Sequence, residues 1–457
     1  MRNRNNRRLI FWSRIVQGVF TGRSIIVCLV GLLLLGGIFL LFSLSSQKSV
    51  PQLVGESSSL AASSAASGPA AAAGCVWQNP FNPAEHSDLF PKKFFTTLPF
   101  SSVLDEVTVA DQKIKVITTL DEALQFKLIK LLKRYHPLLG AGIVIDLQTG
   151  AVEAMSDFRH ADDNGSILPE ECGNLCLVSE FPAASLFKIV TAYGVLDKKK
   201  VTRKTHYPVV GRHHTLYKYQ LGLGKSRYRY RPEDISFEKA FARSVNPVFG
   251  KFGIDFFSAD ELVGLAESFA FNHPLKFDQP VVASRVAMPQ SKFQQAETSS
   301  GFIKTTTLSP LHAALLAGAP LVADNLPQPY FIRRVVAENG AEIYYHQPQK
   351  CDFQLHDKNA CHELTAMMRA TVKYGTARKS FRDVRRRRAF RKLDVGGKTG
   401  SLDMPVCGNR CEWFAGFGKN PKTGKMVAVA VVLVHGDKRT ISSGYIASEL
   451  IAGSLIK

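Results

Sequence analysis

The sequence predicts a mixed α/β (α+β) domain, in which helices pack on an antiparallel sheet, preceded by one N-terminal transmembrane helix. Three observations predict this fold class: two apolar hairpins lie far apart in the chain, the residues between them are mainly helical in pattern, and a long uncharged apolar segment lies near the N-terminus. The 457 residues are 45% hydrophobic and 21% charged, which is sufficient for one large folded domain or two ordinary ones.

The N-terminal apolar segment has the length and flanks of a membrane anchor. Residues 25–44 form an uncharged run of 20, and a helix needs about 20 apolar residues to cross a bilayer core. Only arginines precede it among the charged residues, which places this flank in the cytoplasm. A buried core helix would keep a polar face, and a cleaved signal peptide usually has only about 7–15 apolar residues.

The chain is therefore predicted to have five parts, with its N-terminus in the cytoplasm, a single pass through the inner (cytoplasmic) membrane, and the remainder in the periplasm. The linker is almost entirely Ser, Ala and Gly and cannot bury a core. The parts are a basic tail (1–24), a transmembrane anchor (25–44), a Ser/Ala-rich linker (45–74), a small pedestal or extended wrap (75–114) and the main domain (115–457).

Periodicity predicts the elements at the two ends of the main domain. Apolar residues at helical spacing predict a helix over 121–135, with Thr119 or Asp121 as its cap. Apolar runs on either side of Gly-bearing turns predict the hairpins 142–146/151–155 and 412–417/426–434, and a closing helix follows at 446–455. We expect the first and last strands to pair in one sheet.

The cysteines fit an oxidising compartment. Apart from Cys28 in the predicted anchor, six of them form local pairs and Cys75 is left over. Two pairs share a Cys-x-x-x-Cys pattern and are called the hooks below: 172–176 and 407–411. We expect all four hook cysteines to be oxidised, within each hook or between the two. A zinc ion is the alternative, although its usual spacing is two intervening residues, and we predict no metal site.

Three short motifs occur in order, separated by wide gaps. Each alone is weak, because it could be an ordinary helix surface, a helix cap or a turn. Together, in an exported chain, they indicate serine-based acyl transfer. The motifs are Ser185-Leu186-Phe187-Lys188, Ser244-Val245-Asn246, and Lys398-Thr399-Gly400 followed by Ser401.

The first motif provides a nucleophile and its base. Residues i and i+3 share one helix face, so Ser185 and Lys188 can touch if a helix begins near Ser185, as Pro182 just before it suggests. A serine hydroxyl needs a base, and a lysine serves as one only if burial or a nearby cation lowers its pKa. Lys398 can supply that cation.

The other two motifs complete the predicted site. Ser244 can relay a proton between Lys188 and the leaving group, which makes Ser185, Lys188, Ser244 and Lys398 the predicted catalytic residues. Asn246 can hold a substrate amide, and the side chains of Lys398, Thr399 and Ser401 suit a substrate carboxylate. Gly400, with Gly396 and Gly397, would let a peptide lie close to the strand.

From about Lys115 to the C-terminus the chain resembles the transpeptidase domain of penicillin-binding proteins. The resemblance implies the mixed α/β fold of that family, the penicillin-binding transpeptidase-like fold, and a serine acyl-enzyme that needs no cofactor. Two departures are that Pro182-Ala183-Ala184 stands where the family often has Pro-Gly, and that Ser401 stands where threonine is usual. Besides the three motifs, the residues that carry the resemblance are 118–121, 124–125, 146, 149–152, 297–302, 308–311 and 375–377.

The resemblance implies a peptidoglycan D,D-transpeptidase that cross-links stem peptides and is acylated by β-lactams. A D,D-carboxypeptidase and a β-lactamase are alternatives on the same fold, and a β-lactam sensor or cell-wall scaffold is the non-enzymatic one. The 40 residues of 75–114 are too few for a glycosyltransferase domain, so we expect a separate glycan-strand polymerase in the membrane as a partner.

The net charge of +20 does not indicate nucleic acid, because the main domain is predicted to lie outside the cell. Part of this charge lies in residues 378–392, where nine residues are basic and Asp383 is the only acid. This basic segment is either a solvated loop or a contact site for anionic lipid head groups or acidic wall polymer.

Deletion of residues 1–44 tests the predicted anchor. We expect a protein that is soluble without detergent and still forms a covalent adduct with penicillin, because the linker carries no core. Centrifugation and labelling with a fluorescent penicillin measure both properties. A truncated protein that folds but does not acylate would give the anchor a role in catalysis.

Overall fold

The structure, a computed structural model, describes residues 103–109, 112–160, 168, 173–198, 201–226 and 231–456. The predicted tail, anchor and linker lie outside these residues, as does most of the 75–114 segment. Within the described part of the chain, no helix is long and apolar enough to span a membrane.

The described residues form a mixed α/β fold of antiparallel sheets and helices. The strands are β1 (Val103–Val109), β2 (Gln112–Thr118), β3 (Leu139–Asp146), β4 (Val152–Arg159), β5 (Phe181–Pro182), β6 (His206–Val209), β7 (Glu233–Ser236), β8 (Thr307–Leu308), β9 (Ile332–Ala337), β10 (Glu342–Tyr345), β11 (Asp394–Asp403), β12 (Arg410–Lys419) and β13 (Met426–Val434). The helices are α1 (Glu122–Tyr135), α2 (Lys188–Asp197), α3 (Phe237–Ala242), α4 (Asn246–Phe256), α5 (Ala259–Glu267), α6 (Lys292–Ser300), α7 (Pro310–Val322), α8 (Lys358–Lys373) and α9 (Ser443–Leu455).

The central sheet has five antiparallel strands in the order β11-β12-β13-β3-β4. The last strand of the sequence, β13, pairs with the first strand of this sheet, β3, and Ala430 lies opposite Ile143. This confirms the expectation that the two ends of the domain meet in one sheet. A second antiparallel sheet has its strands in the order β1-β2-β9-β10.

Strand β13 is buried on both faces, which explains its continuous apolar sequence. Its odd-numbered residues from Val427 to Leu433 share a core with α1 and α9, and its even-numbered residues from Ala428 to Val434 share another with α7. Helices therefore cover both faces of the sheet, since a strand that is apolar on both sides must be shielded from water on both sides.

The predicted boundaries differ from the observed ones where tertiary contacts extend an element. Helix α1 begins after Asp121, whose carboxylate accepts a hydrogen bond from Leu124 N at 3.0 Å, as the cap prediction expected. Strand β4 continues past the predicted end at residue 155 to Arg159. Its polar end is held because Asp157 accepts from Leu175 N at 3.0 Å and pairs with Arg159.

The disulfide prediction for the hooks is corrected by the structure, in which Cys176, Cys407 and Cys411 are free thiols, as are Cys351 and Cys361. The Cys176 thiol is fully buried, and its Sγ lies 3.3 Å from the Gly142 carbonyl oxygen. Burial raises the pKa values of the Cys176 and Cys411 thiols well above the ordinary value for cysteine. The thiolate that disulfide exchange requires is therefore disfavoured at both residues. The remaining hook cysteine, residue 172, lies outside the described residues.

Truncation of one leucine on each side of the sheet tests the layered core. Leu315 on α7 and Leu450 on α9 are both fully buried. We expect Leu315→Ala and Leu450→Ala each to lower the free energy of unfolding by about 2–5 kcal/mol, measured by urea denaturation. The control Leu223→Ala, at a side chain that is 39% exposed, should have a much smaller effect. Equal effects at all three positions would contradict a core on both faces.

Candidate active site

Ser185 lies in a tight turn at the start of a helix. Residues 184–187 form one 3₁₀ turn that continues directly into α2, so that Ser185 and Lys188 are on one face. The chain just before the turn is held in place because Trp413 Nε1 donates to the Pro182 carbonyl oxygen at 2.9 Å. The turn that carries Ser185 is thereby linked to β12 of the central sheet.

The residue before Ser185 has a strained backbone. Ala184 has φ 48°, a left-handed conformation that glycine adopts at little cost and other residues adopt at about 1–3 kcal/mol. Ala184 belongs to the stretch Pro182-Ala183-Ala184, which stands where the resembled family often has Pro-Gly. Its neighbour Gly301 cannot carry a side chain, because a Cβ there would lie 1.8 Å from the Ala184 carbonyl oxygen.

Lys188 is placed as the base for Ser185. Its Nζ lies 2.9 Å from Ser185 Oγ and 2.8 Å from Asn246 Oδ1, and it also contacts the Ser300 carbonyl oxygen. Burial, assisted by the charge of Lys398, lowers the pKa of Lys188 well below its ordinary value. A neutral amine has two N–H donors and one lone pair. The two oxygens of Asn246 and Ser300 accept both donors, so the lone pair faces the Ser185 hydroxyl.

Lys398 and Ser244 form the second part of the site. Lys398 Nζ donates to Ser244 Oγ at 2.9 Å and to the Thr399 carbonyl oxygen at 3.0 Å. Burial lowers the pKa of Lys398 to about 7. The amine lies 5.6 Å from the centre of the Phe241 ring, and Lys188 Nζ lies 5.4 Å from that of Phe249. Both amines are therefore held in a largely apolar setting.

The predicted substrate-binding residues occupy two distinct environments. Thr399 Oγ1 lies 2.5 Å from Thr376 Oγ1, and Ser401 is exposed, with its Oγ accepting from Arg410 Nη2 at 2.6 Å. Both belong to the part of β11 beside the serine. Asn246, in contrast, is buried, and its observed contact is with Lys188. Its predicted contact with a substrate amide stays a prediction.

The three glycines of β11 serve different purposes. Gly400 lies against the nucleophile turn, because a Cβ added there would be 3.3 Å from Ser185 N. At Gly396 and Gly397 an added Cβ would instead lie 2.5 Å and 2.4 Å from the rings of Phe417 and Phe414. Gly396 and Gly397 therefore make room for aromatic side chains of β12, and the expected approach of a peptide to this strand stays a prediction.

Several groups that complete the site have no signature in the sequence. Ser300 contributes a backbone carbonyl, which no side-chain pattern reveals, although it lies in the stretch 297–302 that resembles the family. Burial lowers the pKa of the His214 ring, and the charges of Lys188 and Lys398 lower it further. The contacts of Thr376 with Thr399 and of Arg410 with Ser401 arise only when β11 is placed beside its neighbours.

The arrangement of the site suits acyl transfer through a serine. A hydroxyl nucleophile lies beside a lysine whose lone pair can take its proton, and a second hydroxyl lies on a second lysine. Within the described ranges, no group of three or more His, Cys, Asp and Glu side chains could hold a metal ion. All the steps that the geometry supports can be carried by protein groups.

Comparison with known proteins agrees with this geometry. The family model for the penicillin-binding protein transpeptidase domain matches residues 140–456, more than half of the chain. The chain belongs to the penicillin-binding protein transpeptidase family. This confirms the resemblance drawn from the motifs. None of the curated proteins compared with this chain matches it.

Solved structures of the same fold are similar to this chain at low sequence identity. The D,D-transpeptidase domain of a peptidoglycan glycosyltransferase from Eggerthella lenta is 22% identical with a TM-score of 0.59, over 74% of this chain and 82% of that one. Penicillin-binding protein A from Mycobacterium tuberculosis, in its imipenem acyl-enzyme complex, is 22% identical with a TM-score of 0.58, over 74% and 79%. Penicillin-binding protein 2B from Streptococcus pneumoniae is 15% identical with a TM-score of 0.58, over 74% and 59%.

The variant Lys398→Met tests the burial of the second lysine. In the folded wild type the pKa of Lys398 is about 7, below the ordinary value of 10.5. The free-energy cost of burying the charged amine is therefore fully present below pH 7 and is relieved as pH rises toward 10.5. Between pH 6 and pH 9 we expect the wild type to gain about 2–3 kcal/mol of unfolding free energy relative to the variant.

Urea denaturation at both pH values measures this gain. The control Lys422→Met, at an exposed position in the turn between β12 and β13, should keep the pH dependence of the wild type. A difference between wild type and Lys398→Met that does not change with pH would contradict the lowered pKa.

Proposed function

We propose that this chain is a D,D-transpeptidase of peptidoglycan synthesis, with Ser185 as its nucleophile. The observation that supports this most directly is the contact between Ser185 Oγ and Lys188 Nζ, in which Asn246 and Ser300 accept the two amine protons. The family match provides the reaction class, and the D-Ala-D-Ala substrate is the part that we propose.

In the first step, Lys188 takes the Ser185 proton as Oγ attacks the carbonyl carbon of the penultimate D-Ala. The C–N bond then breaks, and the leaving amine of the terminal D-Ala receives a proton through Ser244. In the second step, the amine of a neighbouring stem peptide attacks the ester carbonyl. That amine loses a proton, and Ser185 Oγ regains one as the acyl–oxygen bond breaks.

A substrate carboxylate suits the charge of this site. Lys188 and Lys398 are both fully buried, and among the described residues no carboxylate hydrogen-bonds to either amine. A terminal carboxylate beside Lys398, Thr399 and Ser401 would add the missing negative charge. β-Lactams carry a carboxylate next to a reactive amide, so we propose that they acylate Ser185 in the same way.

We further propose that the domain works at the periplasmic face of the inner membrane, anchored by residues 25–44. The support is the uncharged apolar run with arginines on one flank. The proposed partners are peptidoglycan stem peptides, β-lactams and a separate glycan-strand polymerase in the same membrane. No nucleic acid is expected at this location.

Covalent labelling with a fluorescent penicillin tests the nucleophile and its base. Ser185→Ala should abolish labelling, and Lys188→Ala should slow it by about 10²–10⁴-fold, because general-base help is lost. The controls Ser268→Ala and Lys422→Ala, at exposed positions, should label like the wild type. Persistent labelling of Ser185→Ala would remove Ser185 from this role, and a loss below tenfold for Lys188→Ala would assign the base elsewhere.

Incubation with a stem pentapeptide and an acceptor amine identifies the reaction. A cross-linked product supports the transpeptidase. A trimmed tetrapeptide alone would indicate a carboxypeptidase instead, and rapid release of the penicillin label would indicate a β-lactamase.

A further inference from the structure

A second concave site lies away from Ser185, between α8 and the start of β11. It is an open cavity of about 460 Å³. Its polar lining consists of the side chains of Arg369, Lys373, Arg385, Arg391 and Asp394. Asp394 is the first residue of β11, four positions before Lys398 and at the opposite end of the strand from Ser401. The cavity is therefore separate from the acyl-transfer site.

The lining has an excess of positive charge. Arg369 and Asp394 form a bidentate ion pair, with both N···O distances 2.7 Å, which neutralises one of the four cations. Arg385 donates to the Val372 carbonyl oxygen and keeps its charge. Lys373 and Arg391 are exposed, and neither has a carboxylate partner among the described residues. Three unneutralised cations therefore converge on one cavity.

The cations are held on a folded segment. Arg385 and Arg391 belong to the basic segment 378–392, and Phe381, Val384 and Phe390 of the same segment are buried in the core shared with α9. These apolar anchors hold the backbone while the charged side chains point outward. The basic segment is therefore an ordered cationic surface rather than a loose solvated loop.

Clustering of like charges without partners opposes folding, and a bound anion would relieve this repulsion. Burial lowers the pKa of Arg385, and the charge of Arg378 outside the lining lowers it further. Arg387 forms an ion pair with Glu449 of α9 at 2.6 Å. Neither residue lines the cavity, so this pair does not neutralise the cations of the lining.

We propose that this cavity binds a phosphate group. One arginine guanidinium occupies both oxygens of a carboxylate, as the pair between Arg369 and Asp394 shows. A phosphate offers more acceptor oxygens and can contact Lys373, Arg385 and Arg391 together. Half-buried Leu393 and Val395 add apolar wall beside the cations, which suits a ligand with a carbon backbone next to its phosphate. The two sources of this chemistry are a phospholipid head group and free phosphate.

Calorimetric titration of the full chain in neutral detergent, at constant ionic strength, tests the site. The probes are inorganic phosphate and glycerophosphoglycerol, the deacylated head group of an anionic phospholipid, with acetate as the carboxylate control. We expect saturable one-to-one binding of at least one phosphate probe, tenfold or more tighter than acetate. Tighter binding of glycerophosphoglycerol indicates the lipid source, and tighter binding of inorganic phosphate indicates the free ion.

Two double variants with the same change of charge locate the binding. Lys373→Gln with Arg391→Gln removes one lysine and one arginine from the lining, and we expect phosphate binding at least tenfold weaker. Lys379→Gln with Arg388→Gln removes the same charges from exposed positions of the basic segment outside the lining, and we expect less than a twofold change. Thermal unfolding followed by circular dichroism shows whether each variant is folded. If the double variant of the lining is not folded, the single variant Arg391→Gln is used in its place.

Equal weakening in both double variants would overturn the proposal, because the attraction would then come from the overall charge of the surface. Acetate binding as tight as phosphate binding would overturn it too, as would the absence of saturable binding. Because the readout is anion binding, these results are independent of whether Ser185 reacts with penicillin.

Discussion

The site depends on the burial of the Lys188 amine. An ammonium group without a counter-ion in an apolar setting costs several kcal/mol, so the neutral form is favoured and the lysine becomes a base. Three separate parts of the chain must meet for this to happen: the turn that begins α2, the start of α4 with Asn246, and the end of α6 with Ser300. The strained backbone at Ala184 and the absence of a side chain at Gly301 follow from bringing the turn and α6 this close.

The second lysine extends this constraint to the sheet. Lys398 projects from β11, and its contact with Ser244 makes the position of the strand relative to the helices part of the chemistry. The aromatic rings of Phe414 and Phe417 fill the space left by Gly397 and Gly396, so β11 lies close on β12. The charge of the buried Lys398 amine, which has no carboxylate partner among the described residues, is unfavourable for folding, yet it creates the positive potential that a substrate carboxylate would use.

The same basic residues of segment 378–392 are compatible with a solvated loop or with an ordered cationic surface. In the sequence, its nine basic residues are typical of a solvated loop, because unpaired cations are normally left in water. In the fold, Phe381, Val384 and Phe390 bury their side chains at intervals along it, and the cations between them are held in a defined arrangement beside α8. The apolar anchors, not the charges, distinguish an ordered surface from a loop.

The sequence by itself determined the fold family, the antiparallel sheet joined at its ends and the residues of the three motifs, because these depend on periodicity and on side-chain types at short spacing. The tertiary structure alone decided which groups complete the site. A backbone carbonyl such as that of Ser300 has no signature in the sequence, and the contact of Asn246 with Lys188 joins residues 58 positions apart. The hook cysteines were misjudged for the same reason: spacing and compartment favoured disulfides, whereas the burial of Cys176 against the Gly142 carbonyl is a property of the packed core. Local patterns specify local structure, and contacts between distant elements exist only once the core has brought them together.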